Sequence, residues 1–287
     1  MKRFLFVLLI YCAVRTFVYG QQFVYDSVKI NGHMRRYWLQ LPESTTQGAP
    51  FIMVCNGYGN RGNKNTYMNG IAAEKGAVLC IPIGFKDGQG KCSWNVGYPF
   101  QTGWKQDDVK ELGLLARHIQ KKYGVSRKNC FLTGVSNGGE LCYLMAYRKQ
   151  NVFMAFASVA GLTMEWIYRT MEAPCPRPFL EIHGTEDRTS EWNGDLQNNG
   201  GWGAYLSVPI AVGYWIARNR CTTVQTDSLP GLRPNGRYTL KYYYSGGDAD
   251  VCLYEVKGGT HSSLADDVNV GQLIWNFFEK LIRDEER

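Results

Sequence analysis

The sequence predicts an α/β protein: a mostly parallel central sheet flanked by helices and preceded by an antiparallel hairpin. Three observations carry that prediction. Short apolar runs alternate with helical patterns along the chain, as expected where parallel strands are joined by helical crossovers. Residues 51–54 and 77–82 are apolar throughout and read as buried strands. Residues 23–41 read as a hairpin with Asn31-Gly32 at its turn, because this dipeptide accepts the positive φ that a tight hairpin turn requires.

The remaining elements follow in order. Residues 106–123 place Val109, Leu112, Leu115, Ile119 and Tyr123 on one helical face. Residues 130–133 form a short strand running straight into Gly134, and a helix follows over about 138–148. Strands are expected at 153–159 and 178–183, and a helix at 208–218 with Ser207 as its N-cap and Pro209 in its first turn. A late strand at 251–256 and an amphipathic helix at 268–282 close the chain.

The chain has 287 residues, 45% hydrophobic and 20% charged, enough for one globular domain over 21–287 with a sizeable core. The first twenty residues read as an export signal. Lys2 and Arg3 precede an apolar stretch too short to span a bilayer, and Val18-Tyr19-Gly20 offers a cleavage site. The expected location is therefore secreted or periplasmic, with no membrane contact after the signal is removed. Eight cysteines remain beyond it, and an even number in an exported chain suggests disulfide bonds. Cys80, inside an apolar run, reads equally well as a buried thiol. The net charge of +7 is spread along the sequence with no cluster denser than a pair, such as Arg35-Arg36 or Lys121-Lys122. It reads as solubility and not as a nucleic-acid module. There is no metal-ligand spacing such as CxxC or HExxH.

The chemistry enters at Gly134-Val135-Ser136-Asn137-Gly138, a G-x-S-x-G pattern extended by Gly139 and set between a strand and a helix. There the turn strains the serine backbone and lifts its hydroxyl above the sheet. A serine needs a base, and this fold orders its triad Ser, acid, His. His33 and His118 precede Ser136, and His183 lies at a strand end ahead of the best acid. His261, in Gly258-Gly259-Thr260-His261, is the candidate base, while His183 reads as structural. Asp187, a few residues past the strand at 178–183, is the candidate acid; Glu186 and Asp195 are its rivals. The oxyanion donors are expected to be the main-chain amides of Asn137 and of Tyr58, in the loop Cys55-Asn56-Gly57-Tyr58-Gly59-Asn60.

With these motifs the chain resembles the polyhydroxybutyrate-depolymerase-like esterases, which include feruloyl and acetylxylan esterases (carbohydrate esterase family 1), all of the α/β-hydrolase fold. The resemblance covers nearly all of the chain after the signal. It implies Ser136, Asp187 and His261 as the triad, no metal or organic cofactor, and a plant cell-wall polysaccharide or its feruloylated or acetylated oligosaccharides as the partner. Feruloyl esterase is the first expectation, acetylxylan or short-chain polyester hydrolysis the alternative. A non-catalytic carbohydrate-binding homologue and a peptidase are the rivals from other classes. The resemblance also favours a Cys221–Cys252 bridge, with Cys55–Cys92 and Cys142–Cys175 as conjectured pairs. Trp94 and Trp192 are candidates for stacking on a feruloyl ring or a sugar, with core packing as the alternative for each. The chain departs from the family in having Asn56-Gly57 where His-Gly is usual and Ser262-Ser263 where Trp-Pro often follows the histidine. A stretch rich in Trp, Asn and Gly over 191–203 reads as a specificity loop.

Overall fold

A computed structural model describes residues 22–43 and 46–283; the expected export signal lies outside the described residues. The hairpin forms as β1 (Gln22–Ile30) and β2 (His33–Leu41), with Asn31 and Gly32 at positive φ in the turn. Then come β3 (Phe51–Cys55), α1 (Asn69–Glu74), β4 (Val78–Pro82) and a two-stranded ribbon of β5 (Phe85–Lys86) and β6 (Cys92–Ser93). Next are α2 (Asp108–Tyr123), β7 (Cys130–Val135), α3 (Asn137–Tyr147), β8 (Ala155–Val159), α4 (Glu165–Thr170) and β9 (Phe179–Gly184). The chain continues through α5 (Val208–Arg218), β10 (Thr223–Pro230), β11 (Tyr238–Ser245), β12 (Val251–Lys257), α6 (Leu264–Asp267) and α7 (Val270–Glu279).

Ten strands form one sheet in the order β1-β2-β4-β3-β7-β8-β9-β12-β11-β10. From β4 to β12 neighbouring strands run parallel; the four pairings outside them, two at each end of the sheet, run antiparallel. This is an α/β-hydrolase fold. The central strands are buried on both faces, and their side chains alternate between two cores. Phe51, Met53 and Cys55 of β3 face the layer of α2, α3, α4 and α5, while Ile52 and Val54 face that of α1, α6 and α7. Helix α2 starts where the Asp107 carboxylate accepts the Lys110 amide at 3.0 Å and stops at Gly124 in the left-handed region. The strands β10 and β11 were not expected from the sequence. Nearly every residue of β10 is exposed, so the apolar periodicity that betrays a buried strand is missing.

The expectation of disulfide bonds is corrected: all eight described cysteines are free thiols. The fold gives the reason. Cys252 on β12 points into the α7-side core, whereas Cys221 packs on the opposite side of the sheet and donates from Sγ to the carbonyl of Ala249 at 3.4 Å. Cys55 is sealed beneath the helices, while Cys92 lines an open cleft. Cys142 is buried within α3, and Cys175 lies half-buried in the loop before β9. Burial drives the thiols of Cys55, Cys80, Cys130 and Cys142 upward, so they behave as small apolar groups.

Arg35, fully buried on β2, ties the hairpin to α2. Its guanidinium donates to Asp108 at 2.8 Å and Glu111 at 2.7 Å and stacks on the Phe85 ring, 4.0 Å from its centroid. Asp108 in turn accepts the Asn95 amide at 2.8 Å. Arg35→Ala would leave two buried carboxylates without their cation, an expected loss of about 3–5 kcal/mol in unfolding free energy. Denaturant titration checks this, and a loss below 1 kcal/mol (roughly that of an exposed ion pair) would refute it.

Candidate active site

The carboxyl ends of β3, β7, β9 and β12 lie along one edge of the sheet, where loops of this architecture gather functional groups. Ser136 follows β7 with φ 55 and ψ −123, a conformation that L-residues avoid and that persists only when the surroundings impose it. The surroundings are backbone. A Cβ on Gly138 would lie 2.0 Å from the carbonyl oxygen of Cys55, and one on Gly134 would lie 2.2 Å from that of Gly138. Gly57, in the loop after β3, lies directly against Ser136: its Cβ would be 3.3 Å from the serine Cβ and 3.9 Å from Oγ.

Asp187 follows β9 and His261 follows β12, the neighbouring parallel strand. The structure joins them through a 2.7 Å hydrogen bond from His261 Nδ1 to Asp187 Oδ2. The other carboxylate oxygen accepts the amides of Thr189 and Ser190, each at 2.8 Å. Burial works against the charge of Asp187, but the bonds and the field of His261 outweigh it and hold the carboxyl below its usual range. Of the two rivals, Glu186 is exposed. Asp195 closes its own loop, accepting the amide of Gly200 at 2.8 Å and the side-chain amide of Asn199 at 3.2 Å.

His183 supports Asp187 from behind. Its Nδ1 faces Glu181 Oε1 at 2.9 Å, and its Nε2 faces the carbonyl of Ser190 at 2.7 Å, with Asp187 Oδ2 at 3.6 Å. A carbonyl only accepts. Nε2 therefore carries a proton, and Nδ1 shares one with Glu181, whose own carboxyl burial also drives upward. Burial opposes a charge on the ring, and the bond and charge of Glu181 overcome it, raising the imidazole above its ordinary range.

Asn137 opens α3, so its main-chain N–H has no carbonyl within the helix to bond. Its side chain clamps Trp94 from both sides: Oδ1 accepts the Trp94 amide at 2.7 Å, and Nδ2 donates to the Trp94 carbonyl at 3.2 Å. Trp94 is 2% exposed, and its indole donates to the Asn56 carbonyl at 2.8 Å. Its ring packs in the core and braces the loop bearing Tyr58, as the core-packing alternative for this residue had it. Trp192 is half-buried, edge-on to His183 with centroids 6.0 Å apart. Tyr58 belongs to an aromatic cluster with Tyr98, Phe100 and Trp202, with ring centroids 5.2–6.3 Å apart. Trp202 comes from the stretch expected to form a specificity loop. Burial, followed by the neighbouring Asp87, pushes the Tyr58 phenol up to about 12.

Glu140 was missed by sequence reasoning. An acid in the first turn of a helix is ordinary, because it meets the positive end of the helix dipole. This one, however, is 2% exposed; the Tyr98 hydroxyl donates to it, and a protonated His261 would act on it through its field. Burial pushes the carboxyl up to about 7, against the bonds from Tyr98 and Asn137.

Comparison with known proteins finds likenesses to esterases and to peptidases. A family model described as the prolyl oligopeptidase family matches residues 72–199. A bifunctional acetylxylan esterase/xylanase of Neocallimastix patriciarum is 24% identical over 259 residues, covering 88% of this chain and 34% of that protein, so the chain spans about a third of that relative. A probable feruloyl esterase C of Aspergillus flavus is 24% identical over 223 residues, covering 72% of this chain and 74% of the relative. Among solved structures, the acetyl xylan esterase from Aspergillus awamori superposes with a TM-score of 0.62 at 12% identity, covering 89% of this chain and 99% of that one. The acylaminoacyl peptidase of Pyrococcus horikoshii gives 0.60 at 14% identity, covering 94% and 43%. The chain thus has an α/β-hydrolase fold and is similar to feruloyl and acetylxylan esterases and, over residues 72–199, to the prolyl oligopeptidase family.

The raised carboxyl of Glu140 fixes a sign for stability against pH. Between its ordinary value of 4.5 and about 7, the folded chain holds this proton more tightly than the unfolded chain. Stability contributed by the protonated group is therefore present below pH 4.5 and declines as pH rises through 7. Glu140→Gln, which cannot ionise, is expected to match the wild type near pH 4 and to exceed it by up to about 3 kcal/mol above pH 7. Urea unfolding across that range measures the difference; a difference independent of pH would refute the assignment.

Proposed function

We propose that this chain is an exported serine esterase that removes short acyl groups from a plant cell-wall polysaccharide. Export rests on the first twenty residues alone, now that the disulfide argument has fallen. Ser136 is the nucleophile, His261 the base, and Asp187 the acid that orients the imidazole and stabilises its charged form. The observation that carries this proposal is the 2.7 Å bond between His261 and Asp187, at the same sheet edge as the positive-φ Ser136. With Nδ1 committed to Asp187, Nε2 is the nitrogen left to take the serine proton. The main-chain amides of Asn137 and Tyr58 then receive the oxyanion, and as the acyl carbon–oxygen bond breaks His261 gives the proton to the leaving sugar oxygen, which departs as a hydroxyl. Water repeats the cycle to release the acid. No step asks for a metal or an organic cofactor.

Acetyl is favoured over feruloyl, because an acetylxylan esterase stands both among the sequence relatives and among the solved structures that resemble the chain. This reverses the order expected from the sequence. A specific observation keeps the second reading: the rings of Phe100 and Trp202 beside Tyr58 offer an apolar wall to an aromatic acyl group.

Two measurements test this. Ser136→Ala is expected to lower kcat/KM for p-nitrophenyl acetate by at least about ten-thousandfold without loss of folding; an active variant would end the proposal. Wild-type protein on arabinoxylan is expected to release acetate faster than ferulate. Cleavage of a peptide p-nitroanilide faster than of either ester would assign the site to amide hydrolysis instead.

A further inference from the structure

The four side chains Arg36, Arg61, Lys86 and Lys91 come from three separate stretches of the sequence yet line one open cleft of about 580 Å³. Arg36 comes from β2, Arg61 from the loop beyond β3, and Lys86 and Lys91 from the β5–β6 ribbon. All four are exposed. None makes an ion pair among the described residues, and no carboxylate lines the cleft. The nearest acid in sequence, Asp87, is buried and turned into its own loop, where it accepts the amides of Gln89 and Lys91 and the hydroxyl of Ser93. Four unmatched cations in one concavity repel one another, and a concave wall concentrates their field. Such a surface is made favourable by an anion. Tyr25 and Phe85 add ring faces to the same wall, suited to the C–H face of a sugar ring.

The position of the cleft ties it to the proposed chemistry. Gly59 lines it, and Gly57 touches Ser136; two residues of backbone, at most about 7 Å, separate them. The Gly59 amide bonds the carbonyl of Cys92, another lining residue, at 2.8 Å. The cleft and Ser136 thus lie at the two ends of one short loop. We propose that the cleft binds a hexuronate-bearing polysaccharide, its sugar carboxylates held by Arg36, Arg61, Lys86 and Lys91. This deepens the esterase proposal and rests on it for the claim that the bound chain is substrate: the ester removed at Ser136 would sit on an acidic cell-wall chain and not a neutral one.

Binding can be measured without turnover, so its failure and the failure of the esterase proposal are separable. Calorimetric titration of the wild-type protein at low salt would compare tetragalacturonate and a methylglucuronate-bearing xylo-oligosaccharide with neutral xylotetraose. At least one acidic probe is expected to bind about tenfold or more tighter than xylotetraose, and the tighter of the two tells whether the uronate lies in the backbone or on a branch. The preference is expected to shrink as salt screens exposed charges and to vanish in Arg61→Gln/Lys91→Gln, whose substituted side chains are exposed and leave the core intact. Equal affinity for acidic and neutral probes, or an acidic preference that survives the double substitution, would overturn the proposal. So would a DNA oligonucleotide binding as tightly as the uronates, because the cleft would then recognise negative charge alone.

Discussion

The candidate site depends on backbone packed against backbone. At the first turn of α3, the ends of β3 and β7 approach so closely that no side chain fits: a Cβ on Gly138 would meet the Cys55 carbonyl oxygen at 2.0 Å, and one on Gly134 would meet Gly138 at 2.2 Å. The approach forces Ser136 to φ 55 and sets the loop bearing Gly57 and Tyr58 beside its side chain. A strained residue of this kind costs about 1–3 kcal/mol. The cost is met by the two cores on either side of the sheet, which lock β3, β7 and α3 in place.

Around that packing, buried charge is arranged in pairs. His183 and Glu181 stand behind Asp187, so the carboxylate that bonds His261 also has a ring nitrogen of His183 at 3.6 Å. Arg35 with Asp108 and Glu111 stands beneath the segment holding Trp94 and Asn95. Trp94 then connects that ion cluster to Asn137 and to Asn56, the residue before Gly57. The hairpin at one edge of the sheet is thus linked to the serine turn at its centre through hydrogen bonds that are buried or half-buried. Each buried ion is affordable only because its partner is fixed by the fold. The polar network and the packing therefore support each other.

Much of this was legible in the sequence because it is local. The G-x-S-x-G turn, the apolar strands and the helix over 208–218 are set by neighbours along the chain. The pairing of Asp187 with His261 was legible from order, since a parallel sheet places the loops after β9 and β12 side by side. What escaped depends on which residues meet across the fold. Arg36, Arg61, Lys86 and Lys91 looked like scattered charge because no two of them adjoin. Glu140 looked like a helix-start acid, since nothing in the sequence announces its burial. The cysteine count misled for the opposite reason: parity is a property of the list, whereas a bond requires side chains that face one another, and Cys221 and Cys252 lie on opposite sides of the sheet.

The hairpin brings these strands of argument together. Successive residues on a strand point to opposite faces, so Arg35 turns inward to Asp108 and Glu111 while Arg36 turns outward to the cleft. One strand therefore anchors the frame under the loop bearing Gly57 and Tyr58 and supplies a wall of the charged cleft next to it. Phe85 joins the two sides, with the guanidinium of Arg35 stacked on its ring and the ring itself part of the cleft wall. The loop from Gly57 to Gly59 is held by Trp94 from within and by Cys92 from the ribbon. A chain lying in the cleft would press on elements that already position this loop. Substrate recognition and the geometry beside Ser136 would then share one piece of backbone.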